Sequence, residues 1–390
     1  MKIIPLEALD NATLEEIGLH WHTDIDNTPY IENEMIELTQ KQADDYYNAC
    51  NELYDMYIEA GEWVIEKDLF FDLDIPPVLI PMIKQSWEED VHWHLYGRFD
   101  LSGGLDGRPI KLLEFNADTP TMLYETAVIQ WALLKFNGYD HASQFNNIYE
   151  AIGENFKRMI TLGEDTSNFS QNYEGWKILF SCVKGNIEEE RTTKFLQEIA
   201  KSVGFETEFS YIDEVKFSEE QGIFVNDANY EFLFKLLPWE NIAIDEPELA
   251  LIMRSMMENK NTIFLNPAYT LMFQSKRFLK LLWDLFPNHP LLLEASFEPL
   301  KGKQQVKKSA FGREGANIDI LDTSLKSVIS NGGIYENHKS VYQEFYELNK
   351  IGEFYYQPNV FYAYESCGLG FRKGGMILDN YSKFVSHIIK

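Results

Sequence analysis

The sequence predicts a mixed α/β fold, and three observations carry that expectation. Apolar residues at helical spacing alternate with short strand-like runs; the segment from about residue 174 reads strand, helix, strand; and no internal repeat or low-complexity tract points to a solenoid. With 390 residues, 45% of them hydrophobic, the chain has the length for two or three domains and ample material for their cores.

In chain order, residues 1 to about 90 read as helical, above all Glu34 to Glu66, which is rich in Glu, Ala, Tyr and Leu and has no internal proline until Pro76 and Pro77. From His92 the texture changes. Leu95 to Leu101 and Ile110 to Asn116, separated by Gly103-Gly104 and Asp106-Gly107, predict a hairpin. A helix follows, with Pro120 in its first turn, Leu123, Ala127, Trp131 and Leu134 on one face, and Gly138 at its end. The polar stretch Gly163 to Glu174 is the best boundary, and beyond it Gly175 to Val183, Glu188 to Val203 and Phe205 to Ile212 form a βαβ-like unit. Leu271 to Phe286 predicts a helix, Gln304 to Ser309 and Ala316 to Leu321 predict strands around a glycine-bearing turn, and Gly352 to Lys390 predicts strands near a sheet edge or lid. The expected division is 1–165, 166–265 and 266–390.

Composition excludes several classes of function. Against 62 Asp+Glu there are 34 Lys+Arg, a formal charge of −28, which opposes loose binding to nucleic acid or anionic lipid because each phosphate contact needs a local excess of cations. The three cysteines, Cys50, Cys182 and Cys367, are far apart and outside any C-x-x-C pair, as expected in a reducing compartment. No signal-peptide core and no apolar run of membrane-spanning length is present, so the expected location is the cytoplasm.

Two clusters could carry chemistry. In the hairpin, Arg98 shares a strand face with Asp100, and Glu114 with Asn116. A two-residue turn at Asp106-Gly107 would put Asp100 and Glu114 on opposite faces, whereas a three-residue loop Asp106 to Arg108, or a bulge at Gly103-Gly104, sets them across from each other. The second arrangement is expected. Two carboxylates and an amide oxygen then make a hard-oxygen site suited to Mg²⁺, with Arg98 placed to attract a phosphoryl group; a solvated hairpin face is the alternative, as a helix cap is for Asp118, Thr119 and Thr121. The second cluster is basic: Lys301, Lys303, Lys307, Lys308 and Arg313 surround Gly312 to Asn317, and a Lys-bearing strand before a small-residue turn can bring an ammonium and backbone N–H groups to a polyphosphate. Neither a Walker loop nor a dinucleotide fingerprint occurs. The His20/His22 and His92/His94 pairs would project from strands, but no further ligand completes a zinc site. Cys182 reads as core, and no Gly-x-Ser-x-Gly elbow is present.

At these clusters the sequence resembles the glutathionylspermidine synthetase family, acid–amine ligases of the ATP-grasp superfamily, from about residue 10 to the C-terminus. The resemblance is carried, in order, by Tyr96-Gly97-Arg98-Phe99-Asp100, Leu113 to Thr121, Asn266-Pro267, Gln274-Ser275-Lys276, Leu282 to Pro287, Val306-Lys307-Lys308, Gly312 to Asn317 and Gly368 to Arg372. It implies an ATP-grasp-like fold with a helical N-terminal segment, a βαβ pre-ATP-grasp-like unit and a nucleotide-covering lid. It also implies ATP and two Mg²⁺ ions, the metals held by Asp100, Glu114 and Asn116. Lys276 and Lys308 would contact phosphates, the loop with Gly312, Gly315 and Asn317 would cover the triphosphate, and Arg98 would sit over the reacting phosphate. Gln357 matches an adenine-pocket position and Arg372 one that holds a substrate carboxylate. Glu189, Glu190 and Glu240 fall in segments like the family's substrate and polyamine regions.

The implied reaction phosphorylates the carboxylate of a peptide-like acid and lets a polyamine-like amine attack the acyl phosphate, which needs no protein nucleophile. A Mg-ATP-binding relative without turnover is the alternative. The departures concern substrate. The chain leaves no room for the amidase domain of the bifunctional members; Thr119, Pro120, Thr121 and Met122 stand where glutathione-using members have a serine-rich stretch; and Leu236 and Asn241 stand at family threonines.

Overall fold

The computed structural model describes residues 1–390 except Asp140 and Glu164, the second of which belongs to the predicted boundary stretch and so lies outside the described residues. The organising element is an eight-stranded sheet. Its path runs Lys2–Pro5, Ile31–Leu38, Lys383–Ile389, Glu365–Gly374, Phe354–Ala363, Gly97–Ser102, Lys111–Asn116, with Asn349–Ile351 pairing Phe354–Ala363 off the path. The C-terminal strands therefore lie in the middle of the main sheet and not at its edge. Their sequence explains this: Phe354–Ala363 and Glu365–Gly374 are buried over most of their length, as strands covered on both faces are.

The N-terminal region also differs from its helical reading. Ile31–Leu38 is a strand parallel to Lys383–Ile389, and the long helix begins only at Gln40. Helix Gln40–Lys67 starts at a capping box, Thr39 with Gln42, and ends where Asp68 turns left-handed. Its buried stripe covers one face of the sheet, where Tyr57 packs 5.1 Å from Phe115 and stacks on Phe278 at 4.9 Å. Phe99 stacks on Phe115 at 3.9 Å in the same core. Because side chains alternate along a strand, this packing commits Arg98, Asp100, Glu114 and Asn116 to the opposite face.

The βαβ unit is present as a four-stranded parallel sheet ordered Ile263–Leu265, Phe232–Leu236, Lys177–Cys182, Glu206–Tyr211, with helix Ile187–Ser202 crossing between the last two. A five-stranded antiparallel sheet, Ala295–Ser296, Ser340–Glu344, Gln305–Ser309, Ile318–Leu321, Ser327–Asn331, carries the basic cluster. The predicted helix from Leu271 is broken into Thr270–Gln274 and Phe278–Leu285, since Ser275 is extended (ψ 120°) and Lys276 donates its N–H to Ala310 at 2.8 Å. The helix after the hairpin contains a π-helical turn, Glu125–Ile129. Neither histidine pair lies in a strand. No helix among the described residues is long and apolar enough to cross a membrane.

Candidate active site

The hairpin register sets Asp100 opposite Glu114 and Arg98 opposite Asn116. The expected juxtaposition holds, but its cause is a bulge at Leu113, between the pairs Asp100/Glu114 and Leu101/Leu112, and not a bulge at the glycines. The bulge has a chemical use. It leaves the Leu113 carbonyl unpaired in the ladder, and Lys308 Nζ donates to it at 2.9 Å while also donating to Gln343 Oε1 at 2.8 Å. Gln343 in turn donates to the Leu112 carbonyl at 3.0 Å, so the five-stranded sheet is fastened to the hairpin beside the carboxylates.

Arg98 forks onto Asp100, Nε to Oδ1 at 2.8 Å and Nη2 to Oδ2 at 3.0 Å, and its Nη1 donates to the Thr121 carbonyl at 2.9 Å. Asn359, on the neighbouring strand, donates to Asp100 Oδ1 at 2.8 Å. Asn116 Nδ2 lies 3.2 Å from Asp100 Oδ2 and 3.4 Å from Glu114 Oε1, and Gln274 donates to Asn116 Oδ1 at 3.4 Å. Lys276, placed by the helix break, sits 3.1 Å from Glu114 Oε2 and donates to the Gly312 carbonyl at 2.6 Å. Burial pushes the Glu114 carboxyl up, but Lys276 and Lys308 outweigh it and hold it down at about 2. Burial, opposed by Glu114, brings the Lys308 ammonium down to about 8.

Arg98, Asp100, Glu114, Asn116, Lys276, Lys308 and Gln343 line a cavity of about 760 Å³ between the main sheet, the five-stranded sheet and the parallel sheet. Its lining includes the apolar side chains Leu113, Val306, Ile320 and Leu348, with Gln343 and Gln357. The carboxylates Asp100 and Glu114 line it together with Lys276, Lys308 and the glycine loop, whose Gly312 carbonyl accepts from Lys276. In that loop Gly315 has φ +69°, and a Cβ there would stand 2.2 Å from the Leu378 carbonyl oxygen, so only glycine fits. Thr119, Thr121, Arg372, Glu188 and Glu189 also line the cavity, Arg372 directly across the strand pair from Gln357.

Most of the expected site residues meet here. Asn317 does not line the cavity; its Oδ1 accepts from the Tyr335 N–H at 2.8 Å and shapes the loop from behind. Glu190 is turned away, paired with Lys194 at 2.5 Å and accepting from the Tyr211 hydroxyl at 2.8 Å, because it lies two positions past Glu188 on a helix and so on another face. Glu240 is buried beneath Arg313. His94 is a structural group: Tyr54 and the Ala117 carbonyl engage its two nitrogens at 3.0 Å each, and burial pushes it down to about 4.

Sequence reasoning passed over Asn359, Gln343 and Glu188. Asn359 was within reach, since it lies at i+2 from Gln357 on the same strand face. Behind Glu188 sits Glu125, fully buried in the π-helical turn, its Oε1 accepting from Trp21 Nε1 at 2.9 Å and the Tyr30 hydroxyl at 3.0 Å. Burial and then the Glu188 carboxyl push Glu125 up to about 7; burial and then Glu188 do the same to Glu189.

Among the described residues no three His, Cys, Asp or Glu side chains group as a metal site. A cation at the hairpin would take the Asp100 and Glu114 carboxylates and, with its amide turned so that Oδ1 replaces Nδ2 beside them, Asn116; two carboxylates and an amide oxygen are a donor set that fits Mg²⁺, which commonly completes its shell with water and substrate phosphate.

Known proteins resemble the chain over most of its length. The family profile described as glutathionylspermidine synthase preATP-grasp matches residues 1–390. A Haemophilus influenzae protein provisionally named an acid–amine ligase is 29% identical over 375 residues, covering 91% of this chain and 90% of its own length. The bifunctional glutathionylspermidine synthetase/amidase of Escherichia coli is 25% identical over 354 residues, 83% of this chain and 54% of that protein. Trypanothione synthetase of Crithidia fasciculata is 24% identical over 326 residues, 78% of this chain and 48% of that protein. The chain thus spans about half the length of these two enzymes. A glutathione synthetase-like effector of Globodera pallida shares the fold, with TM-score 0.57 at 10% identity over 98% of both chains. With a matching profile along its whole length, the chain belongs to the glutathionylspermidine synthase preATP-grasp family.

Proposed function

We propose that the cavity binds Mg-ATP, a peptide-like acid and a polyamine-like amine, and joins acid to amine through an acyl phosphate. The observation that carries the reading is the chemistry gathered on the wall of one cavity: apolar side chains with Gln357, the Asp100, Glu114 and Asn116 group with Lys276 and Lys308, and Arg372 with Glu188 and Glu189. A nucleotide bound there has its base against the apolar side chains and Gln357, and its phosphates between the two lysines.

Asp100, Glu114 and Asn116 are the residues that would hold magnesium, which when bound supplies charge neutralisation to the polyphosphate. Lys276 and Lys308 exchange their present carbonyl and amide partners for phosphate oxygens, and the glycine loop covers them. Arg98, rigidly forked by Asp100, aims its remaining N–H groups at the transferring phosphoryl group, where charge accumulates. Arg372 takes a carboxylate of the acid. The amine is held by Glu188 and Glu189, with Glu188 in the role expected of Glu190. Residues 166–265 form the substrate side, and Thr119 and Thr121 flank the reacting carboxylate. No thiol takes part: Cys50, Cys182 and Cys367 are buried, and burial pushes all three up.

The reading predicts that ATP is converted to ADP only when an acid and an amine are both supplied, with an amide of matching mass. A broad acid–amine panel that never yields ADP with amide would overturn it.

A further inference from the structure

Glu240 carries its carboxylate where neither solvent nor cavity reaches. It follows Pro238 at the start of helix Trp239–Asp245, is 1% exposed, and is absent from the cavity wall. Its Oε1 accepts from Arg313 Nη2 at 2.7 Å, while its Oε2 has no hydrogen-bond partner among the described residues. Next to it Asp118 and Lys235, both fully buried, pair at 3.2 Å, and Asp118 Oδ2 accepts the Trp239 N–H at 3.0 Å. Charges buried this deeply persist only when paired, and each anion here has one cation.

Arg313 is the member of this set that reaches the cavity, and it belongs to the glycine loop. Its Nη1 donates to Thr119 Oγ1 at 2.9 Å. One guanidinium therefore ties together the loop of the five-stranded sheet, the segment after the metal hairpin and the helix after a strand of the parallel sheet. The loop is pinned on two more sides, by Lys276 on the Gly312 carbonyl and by the contact of Gly315 with Leu378.

We propose that Glu240 is a positioning residue: through Arg313 it holds the Gly312–Gly315 loop closed across the cavity, and the same contact fixes the Thr119–Thr121 segment whose Thr121 carbonyl anchors Arg98. It acts on loop and nucleotide without touching substrate. The inference rests on the proposed function only for what the loop covers, Mg-nucleotide.

The test uses the full chain and the variant Glu240→Gln, which keeps the volume and an acceptor oxygen but removes the charge, and also relieves the like charge on Asp118. Two readouts need no turnover: stopped-flow dissociation of Mg-ADP, and cleavage after the exposed Glu314 by a glutamate-specific protease in the presence of Mg-ATP. The expected result is dissociation about tenfold faster and loss of nucleotide protection at Glu314, with cleavage elsewhere unchanged. A general loss of stability would instead raise cleavage throughout the chain. Arg313→Lys, which cannot span Glu240 and Thr119 together, serves as the second variant and should act in the same direction. Wild-type dissociation and wild-type protection at Glu314 in both variants would overturn the proposal. If the wild type is protected at Glu314 by Mg-ATP yet makes no amide from any acid–amine pair, the ligase reading falls and the positioning role stands.

Discussion

Glu114 is held between Lys276 and Lys308, and at the scale of single residues this fixes what its removal should do. Glu114→Gln keeps the shape and the hydrogen bond to Lys276 but removes the charge that a cation or phosphate-bound metal needs. Steady-state ADP release should fall by about 10²- to 10³-fold with the thermal melt little changed, and near-wild-type turnover would contradict the metal assignment. Arg372 has its Nη2 on the Asp379 carbonyl at 2.8 Å, which orients the rest of the guanidinium fork. Arg372→Lys loses that fork, and the KM of the acid should rise about tenfold while the KM of ATP stays put.

At the scale of elements, the glycine loop and the broken helix make the site. Gly315→Ala forces a left-handed alanine against the Leu378 carbonyl, so the loop must lift. We expect weaker Mg-ATP binding by calorimetry and a stability loss of about 1–3 kcal/mol in denaturant melts; unchanged nucleotide affinity would show that the loop does not cover it. The hairpin was legible in the sequence because alternation forces Phe99 and Phe115 to one side and the polar residues to the other. The βαβ unit was legible because its strand–helix–strand texture is local. The helix break at Ser275 was not, since Leu271 to Phe286 has helical spacing throughout and the break is set by a distant partner, the Ala310 carbonyl. Nor was the place of Glu365–Gly374 in the sheet, because glycines that suggest an edge are there to admit neighbours: a Cβ at Gly368 would stand 2.4 Å from Ile148 and one at Gly370 2.7 Å from Thr126. Glu188 was passed over for Glu190 because a run of three glutamates gives no helical phase by itself.

At the scale of the whole molecule, the acid-rich chain keeps a few carboxyls where burial holds their protons. Glu125 is the clearest, raised from 4.5 to about 7. A carboxyl raised in the folded state keeps a proton that the unfolded chain has released, so its contribution to stability falls as pH rises from about 4.5 through about 7. Glu125→Gln removes that dependence while leaving an acceptor for Trp21 and Tyr30. In urea melts the variant should gain on the wild type between pH 5 and pH 8 by an amount on the order of 1–3 kcal/mol. A gap that is constant across this range would mean Glu125 is ionised throughout.

The proposed function has one cavity bring the nucleotide's terminal phosphate, the acid and the amine together, and isotope transfer reads that meeting directly. With the acid's carboxylate labelled with ¹⁸O, turnover through an acyl phosphate carries a labelled oxygen into the inorganic phosphate released with each amide. Labelled phosphate in step with amide is the predicted result; unlabelled phosphate, or AMP and pyrophosphate in place of ADP, would contradict it.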